Sequence, residues 1–246
     1  MEQIELMKQI KRDGLTDLTE KSRLLSQCAL FQGIGPVVIN EMLNCLEPKS
    51  YRYQKNDTIA LAGEPFESIG VLLKGEALVI KETAAGHRSM MALLRPGDLF
   101  GEIVVFSKNS VWPATVIAQE DSQALFIARR KLTSQCEQSC TWHRTIIENM
   151  LRIISDKAMM LNKKVEYLTI KSMRGKLSTF FLEQHQKAGT TTFRLPMKRN
   201  ELADFLNVSR PSMSREMARM REEGLIDFHL ETVRIINAEA LREMGE

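Results

Sequence analysis

Short apolar-rich stretches, with β-branched residues or alternation, run through the chain from about residue 24 to residue 130. They read DTIALAG, SIGVLLKGEALVI, RSMMALLR, PATVIAQ and SQALFIA, and the turn sequences AGEP, TAAGH, RPGD and SKNS separate them. Regularly spaced short strands with glycine at the turns predict an antiparallel sandwich or roll. A short helix at about 36–46 is predicted to precede it.

The stretch from about Thr133 to Leu168 lacks glycine and proline and is rich in helix-forming residues. Its apolar residues are spaced alternately by four and three, as the a and d positions of a coiled coil are. This spacing predicts a long helix whose apolar seam pairs with the same helix of a second copy. The predicted dimerisation residues are Ile147, Leu151, Ile154, Ala158, Leu161, Val165 and Leu168.

A second apolar stripe lies beside this seam and is interrupted by Lys157. It indicates a second packing face, turned towards the roll of the same chain. A single amphipathic core helix remains the alternative interpretation. The stripe consists of Ile146, Met150, Ile153 and Met160.

The last region begins with a predicted helix at about 170–185, for which Gly189 suits the C-terminal cap. After a short strand, TFRLP, the sequence KRNELADFL predicts a helix with one inward face, and NVS a tight break. Ser209 suits the N-cap of a second helix, and Pro211 its first turn. EEGLIDFHLETVRIIN then predicts a two-stranded wing. This order is typical of a winged helix-turn-helix.

In the second helix, Met213, Met217 and Met220 recur at spacings of four and three and predict an inward stripe. The arginines point elsewhere, and a guanidinium can bond guanine bidentately in the major groove. A helical hairpin with a solvated arginine face is the alternative. The predicted DNA-binding residues are Arg199, Ser209, Arg210, Ser212, Met213 and Arg215.

The charge distribution supports a polyanion partner in the same region. The net charge is only +3, but residues 174–221 contain ten Lys or Arg against four Asp or Glu. A composition of 43% hydrophobic and 26% charged residues is that of an ordinary soluble protein. Neither a long apolar run nor a signal peptide is evident, so we expect a cytoplasmic protein with no membrane partner.

Three motifs occur in a fixed order: RPGDLFGEIVVF, the heptad helix, and ELADFLNVSRPSMSREMARMREEGLI. With them the chain, from about Leu25 to Leu241, resembles the cyclic-AMP receptor protein / fumarate–nitrate regulator (Crp/Fnr) family. The resemblance implies an α+β fold with an N-terminal cyclic-nucleotide-binding-type β-roll (jelly roll), a long dimerisation helix and a C-terminal winged helix-turn-helix. The implied boundaries are 1–134, 135–168 and 169–246.

The resemblance implies a homodimeric transcription regulator that is not an enzyme. Its implied partners are a small-molecule effector, RNA polymerase and double-stranded DNA with a near-palindromic operator; repression stays open beside activation. Arg210 and Arg215 match the family's DNA-contacting arginines, but Pro211 replaces a common Glu, so we expect a different operator. A cupin-like metal-binding enzyme with an accessory helical domain is the alternative from another class. Such a roll needs paired histidines in its interior, and this chain lacks them there.

In the family's cyclic-AMP-binding members, a Glu that bonds the ribose is followed ten positions later by an Arg-Ser pair that neutralises the phosphate. Glu102 is present here, but Trp112 and Pro113 replace that pair, and this argues against cyclic AMP. We expect a different small organic effector between the roll and the long helix. The predicted pocket residues are Gly101, Glu102, Ile103, Trp112, Pro113, Ala114, Leu161 and Asn162.

The cofactor stays unknown from the sequence. An iron–sulfur cluster of the family's kind needs a closely spaced N-terminal cysteine group, and only Cys28 precedes residue 45. A redox or metal response through Cys136, Cys140 and His143, at helical spacing, remains an alternative. Haem binding through His87 is a further one. No metal-ligand set is assigned.

Overall fold

We describe the protein from a computed structural model that covers residues 18–82, 88–133 and 142–244, with the side chains from residue 21 onward. The chain divides into two compact units, residues 1–156 and 157–246, which are described one after the other. Among the helices of these ranges, none combines the length and the apolar character needed to cross a bilayer.

The described residues of the first unit begin with two helices and continue into a β-roll. Helices α1 (Leu18–Leu25) and α2 (Pro36–Leu46) flank a short 3₁₀ turn, and the eight strands follow. The strands are β1 (Lys49–Tyr53), β2 (Thr58–Ala60), β3 (Ser68–Lys74), β4 (Ala77–Glu82), β5 (Arg88–Leu94), β6 (Leu99–Phe100), β7 (Thr115–Ala118) and β8 (Ser122–Ala128), and they lead into helix α3 (Arg129–Thr133).

Two four-stranded antiparallel sheets form the roll, in the orders β1-β8-β3-β6 and β2-β7-β4-β5. Strand β3 is buried along nearly its whole length, which explains its continuous apolar run. One apolar core lies under the helices and a second lies between the sheets. The predicted antiparallel roll and the helix at 36–46 are therefore confirmed.

Two glycines allow the roll interior to fill with aromatic rings. A Cβ on Gly70 would lie 2.1 Å from the ring of Phe100, and one on Gly101 would lie 2.2 Å from the ring of Phe66. Gly101 also has a φ of +88°, a conformation that other residues adopt only under strain. Both positions therefore require glycine.

The long helix is α4 (Trp142–Thr169), and residues 134–141 before it lie outside the described ranges. On its N-terminal half, Ile146 and Met150 are buried in the first unit's core, as the second stripe predicts. Ile153 of the same stripe is half-buried against this core. Met160 belongs to the second unit and is 58% exposed in the single chain, and its packing on the roll stays a prediction. Lys157 interrupts the apolar face about three turns before the helix ends at Thr169.

The seam predicted for dimerisation is largely solvent-exposed in the single chain. Ile154 alone is half-buried against the first unit's core. Six of the seven apolar side chains are therefore exposed along 28 residues of helix: Ile147, Leu151, Ala158, Leu161, Val165 and Leu168.

The second unit contains the end of α4 and a winged helix-turn-helix. Its elements are α5 (Met173–Ala188), β9 (Thr192–Arg194), α6 (Arg199–Leu206), α7 (Arg210–Glu222), β10 (Ile226–His229), β11 (Thr232–Ile235) and α8 (Ala238–Met244). The strands pair antiparallel in the order β10-β11-β9. Helix α5 begins at Met173 rather than at the predicted residue 170, because Ser172 caps it by accepting from the N–H of Gly175.

Tyr167, near the end of α4, is one of the largest fully buried side chains and belongs to the second unit's core. Its ring packs against Phe205 of α6 at 5.2 Å and Phe180 of α5 at 6.1 Å between centroids. Its hydroxyl donates to Glu183 Oε2 at 2.8 Å, and burial together with this contact raises the pKa of Tyr167. The end of the long helix is thus built into the unit that contains the helix-turn-helix.

Candidate functional site

The second helix of the helix-turn-helix, α7, starts as the sequence predicts. Ser209 is its N-cap, with the Ser209 hydroxyl oxygen accepting from the N–H of Ser212 at 3.3 Å, and Pro211 lies in the first turn. Asn207, with a φ of 53°, makes the break after α6. The predicted inward stripe is confirmed, because Met213, Met217 and Met220 are all buried in the second core.

The opposite face of α7 presents a row of polar groups to solvent. Arg210 and Arg215 are both exposed in the first half of the helix. The Ser209 hydroxyl donates to Ser212 Oγ at 2.8 Å, and Ser212 Oγ accepts from Arg215 Nη2 at 3.2 Å. The first turns of the helix therefore present hydroxyl and guanidinium donors at the end that a recognition helix turns to base edges.

Met213 does not belong to this polar row. Its side chain is 0% exposed and packs among the apolar residues of the second core. Its prediction as a DNA-contacting side chain is wrong, because the inward stripe that Met213 begins requires it to face the core. The same residue cannot fill the interior and reach a base edge.

Arg199 makes several contacts within its own unit. Its guanidinium bonds the sulfur of Met217 and the carbonyl of Leu230, and it lies 5.1 Å from the centre of the Phe228 ring. Burial lowers the pKa of Arg199. These contacts connect the start of α6 to the recognition helix and to the wing, and they engage two of the five N–H donors of this predicted DNA-binding residue.

A cleft of about 720 Å³ lies between the start of α6, Arg210 and the wing. Its charged side chains are predominantly basic, with Glu231 as the exception, and Glu231 pairs with Arg194 at 2.6 Å. Only Arg199 and Arg210 among the lining residues were predicted from the sequence, because most of the others come together through the strands β9–β11 and the turn between β10 and β11. The lining is Arg194, Lys198, Arg199, Asn200, Arg210, His229, Leu230, Glu231 and Thr232.

Two basic residues of the positively charged segment hold the helix-turn-helix together from inside. Arg174 of α5 bonds Glu216 of α7 at 2.6 Å and pairs bidentately with Glu223 at 2.7 Å. Lys176 is buried and donates to the carbonyl of Leu206 at 2.9 Å, which satisfies the end of α6. The local excess of positive charge therefore overstates the number of free cations on the surface.

In the first unit, the loop after β6 carries most of the predicted effector residues. Gly101 and Glu102 are buried, with Glu102 only 3% exposed, whereas Ile103 is 54% exposed. The backbone turns at Gly101, which accepts from the N–H groups of Val104 and Val105. The side chain of Glu102 is thus buried in a tight turn directly after strand β6.

Trp112 fills the interior of the roll. It is 6% exposed, its ring centre lies 4.8 Å from that of Phe66 and 6.3 Å from that of Phe100, and Ala114 beside it is buried. Among the described residues, the Trp112 indole N–H has no hydrogen-bond partner. Pro113 is exposed and contributes no N–H. This pair therefore brings aromatic surface, and no positive charge, to the loop.

The remaining predicted pocket residues, Leu161 and Asn162, are exposed on α4 within the second unit. Their place beside the loop stays a prediction.

The cysteine and histidine alternatives fall largely outside the described residues, which is where Cys136, Cys140 and His87 lie. His143 is described and stacks on Trp142 at 3.8 Å between ring centres. Burial raises the pKa of Cys28 to about 11, so this thiol is protonated at neutral pH. Within the described part of the chain, no three His, Cys, Asp or Glu side chains are grouped as metal ligands.

Comparison with protein families matches both units of the chain. Residues 51–139 match the cyclic nucleotide-binding domain, and residues 175–244 match the Crp-like helix-turn-helix domain. The two matches cover the β-roll and the helix-turn-helix with its wing, respectively.

Among curated relatives, the CRP-like cAMP-activated global transcriptional regulator of Mycobacterium tuberculosis is 22% identical, covering 89% of this chain and 96% of its own. The transcriptional activator protein FnrA of Stutzerimonas stutzeri is 26% identical over 75% of each chain. Among solved structures, the catabolite activator protein of Thermus thermophilus superposes with a TM-score of 0.51 at 21% identity, covering 88% and 98%. That last similarity shows a common fold.

Proposed function

Because the chain belongs to the Crp/Fnr family of DNA-binding transcription regulators, we propose that it binds a near-palindromic operator as a homodimer under the control of a small effector other than cyclic AMP. The polar face of α7 carries this proposal. It combines exposed Arg210 and Arg215 with a methionine stripe that fixes the helix from behind.

The DNA contacts follow from the chemistry of this face. Arg210 and Arg215 supply the bidentate donors that read guanine, and Ser209 and Ser212 donate to phosphate or base acceptors beside them. The basic cleft next to Arg210 extends the positive surface towards the wing. Backbone phosphates are the anions that such a surface attracts, so we expect a strong dependence of affinity on salt.

The exposed apolar seam of α4 supports the homodimer. Isolated exposed apolar residues are ordinary, but a heptad series on one helix is the pattern of a coiled-coil partner face. A parallel pair of α4 helices gives the two recognition helices the two-fold relation that a near-palindromic operator demands. We propose that residues 1–134 sense the effector, that residues 135–168 dimerise and that residues 169–246 bind DNA. RNA polymerase in the cytoplasm is the further proposed partner.

The identity of the residues after the β6 loop supports an effector other than cyclic AMP. A cyclic phosphate taken out of water needs an opposite charge or several N–H donors, and Trp112 and Pro113 provide neither charge nor backbone donor at the second position. The relative from Mycobacterium tuberculosis is named as cAMP-activated. We propose that this chain has replaced that chemistry with an aromatic interior.

Operator selection from random duplexes, followed by fluorescence anisotropy with the selected duplex, tests the regulator. We expect a near-palindrome and a log–log salt slope of about −0.9 per phosphate contact. Random recovered sequences would contradict sequence-specific binding. Calorimetric titration with cyclic AMP tests the effector separately: we expect no binding heat, and a micromolar dissociation constant would overturn that half of the proposal.

A further inference from the structure

A hollow in the β-roll is lined mainly by aromatic and apolar side chains. It has a volume of about 320 Å³ and opens between β1, β8 and the segment joining β2 to β3. None of the residues predicted for the effector pocket lines it. Its size is that of a cavity for a small organic molecule.

Four aromatic side chains line this hollow: Tyr51, Tyr53, Phe66 and Phe126. Tyr51 and Phe126 meet edge to face at 5.8 Å, and Phe66 meets Phe126 at 6.3 Å between centroids. Ile59 is buried at the base. Aromatic faces carry negative electrostatic potential, so this lining accommodates an aromatic ring or a cation.

The charged groups of the lining favour a cation. Glu64 and Glu67 both contribute, and Lys49 is the one basic residue of the lining. Neither carboxylate forms an ion pair with a described residue. Two carboxylates against one amine leave the entrance net negative, which disfavours phosphates and other anions.

The hollow is connected mechanically to the loop that carries Trp112. Phe66 lines the hollow on one side and packs on Trp112 on the other. Backbone hydrogen bonds join the same segments: Gly63 N–H donates to Trp112 O at 2.8 Å, Trp112 N–H to Glu64 O at 2.9 Å, and Phe66 N–H to Ser110 O at 2.7 Å. A ligand that moves Phe66 or Glu64 therefore moves the loop.

We propose that this hollow is the binding site for the effector, and that the effector is a small aromatic molecule with a positively charged amine. The inference rests on the proposed function for its regulatory meaning, but binding itself does not depend on it. The aromatic part lies against Tyr51, Phe66 and Phe126, and the ammonium group lies at Glu64 and Glu67. Trp112 senses the occupied site through Phe66.

The test uses the full chain and two probes of similar size and opposite charge, 2-phenylethylamine and 3-phenylpropionate. By calorimetry we expect a dissociation constant in the millimolar range or below for the amine, as ligands of this size reach. We expect 3-phenylpropionate to bind at least about threefold more weakly, because the net negative charge of the lining repels its carboxylate. Equal binding of the two probes, or binding of neither, would overturn the proposal.

Two variants locate the probe. The double variant Glu64→Gln, Glu67→Gln keeps the shape of the hollow and removes its two negative charges. We expect it to bind 2-phenylethylamine about three- to tenfold more weakly, and to bind 3-phenylpropionate with the same or a modestly higher affinity. Tyr51→Ala is expected to weaken the amine about fivefold through loss of an aromatic wall. Unchanged affinity in the Gln double variant, whose fold circular dichroism verifies, would place the amine elsewhere and refute the assignment.

Trp112 provides the readout of coupling. The chain has two tryptophans, so the Trp142→Phe variant leaves Trp112 as the sole fluorescent tryptophan. We expect 2-phenylethylamine to shift the emission of Trp112, and the dissociation constant from this titration to equal the one from calorimetry. An unshifted emission at saturation would overturn the link to the loop. Operator selection is independent of these titrations, so a failed pocket and a failed regulator give different results.

Discussion

The Arg174 guanidinium donates its Nε–H to Glu216 Oε1 across 2.6 Å, and this contact ties helix α5 to the recognition helix. Glu216 is mostly buried on the inner side of α7, so its carboxylate depends on Arg174 for most of its charge compensation. The recognition helix is thus held by its methionine stripe on one side and by an ion pair at its middle.

Replacing Arg174 with Met is expected to reduce the free energy of unfolding of the DNA-binding unit by about 1–3 kcal/mol. The reason is that Glu216 loses a charge-assisted hydrogen bond while it stays mostly out of water. Urea denaturation followed by circular dichroism measures the change. Lys187→Met, at an exposed position of the same helix, is the control, and an equal effect of both variants would contradict this role.

The same variant predicts a dependence on pH. The pKa of Glu223 lies below its ordinary value, first because of the hydrogen bond from Arg174. A lowered folded-state pKa means that the contribution is present above the unfolded-state value and is lost as the pH falls through the folded-state value. We therefore expect the stability gap between wild type and Arg174→Met to narrow between about pH 7 and about pH 3. A gap that widens would refute this.

Lys176→Met is expected to destabilise the same unit by about 1–2 kcal/mol, because the Leu206 carbonyl loses its buried donor at the end of α6. Methionine keeps most of the side-chain volume, so the loss reports the hydrogen bond more than a cavity. Thermal unfolding measures it, and Lys171→Met at an exposed position serves as the matched control. Equal stability of these two variants would contradict the prediction, because it would show that water can donate to the Leu206 carbonyl in place of the Lys176 amine.

Leu151→Glu is expected to convert the homodimer to a monomer, because it introduces a charge into the centre of an apolar seam. Leu151 is 60% exposed in the single chain, so the fold of the monomer should be unaffected. Sedimentation velocity gives the oligomeric state, with Ser155→Glu, one position off the seam, as the control. If the Leu151→Glu variant is still a dimer, the heptad seam of α4 is not the dimer interface.

Arg215→Ala is expected to weaken binding to the selected operator by about 1–3 kcal/mol and to relax preference at one base pair. The exposed guanidinium is aligned by Ser212, so its removal takes away an oriented donor without opening the core. Anisotropy titrations on the operator and on single-base variants measure both effects. Unchanged affinity together with unchanged preference would exclude a base contact by Arg215.

The periodic features of the sequence predicted the fold well. A methionine at every third or fourth position of α7 must face the core because helical geometry leaves no other arrangement, and Met213, Met217 and Met220 do so. The same argument explains the failure at Met213, which was assigned both to the core stripe and to the DNA contacts. The period shows that Met213 shares a face with Met217 and Met220, and the burial of that face excludes a base contact by Met213.

Features that depend on distant residues were not predicted. Strand β1, KSYRY, has no apolar run, since Lys, Ser and Arg are three of its five residues. It forms a strand because it pairs with β8. Arg174, Lys176 and Arg199 counted as surface charge in the sequence, but each is bonded inside the unit. The partners that engage them lie 18 to 49 residues away and meet only in the folded chain.

The burial of Tyr167 gives the long helix the mechanics of a lever. The last turn of α4 cannot swivel against α5 and α6 without drawing that ring out of its apolar surroundings and breaking its bond to Glu183. A joint at the helix end is therefore stiff. Any tilt imposed on this last turn rotates the recognition helix through the same angle, and the displacement of the arginine row grows with its distance from the pivot.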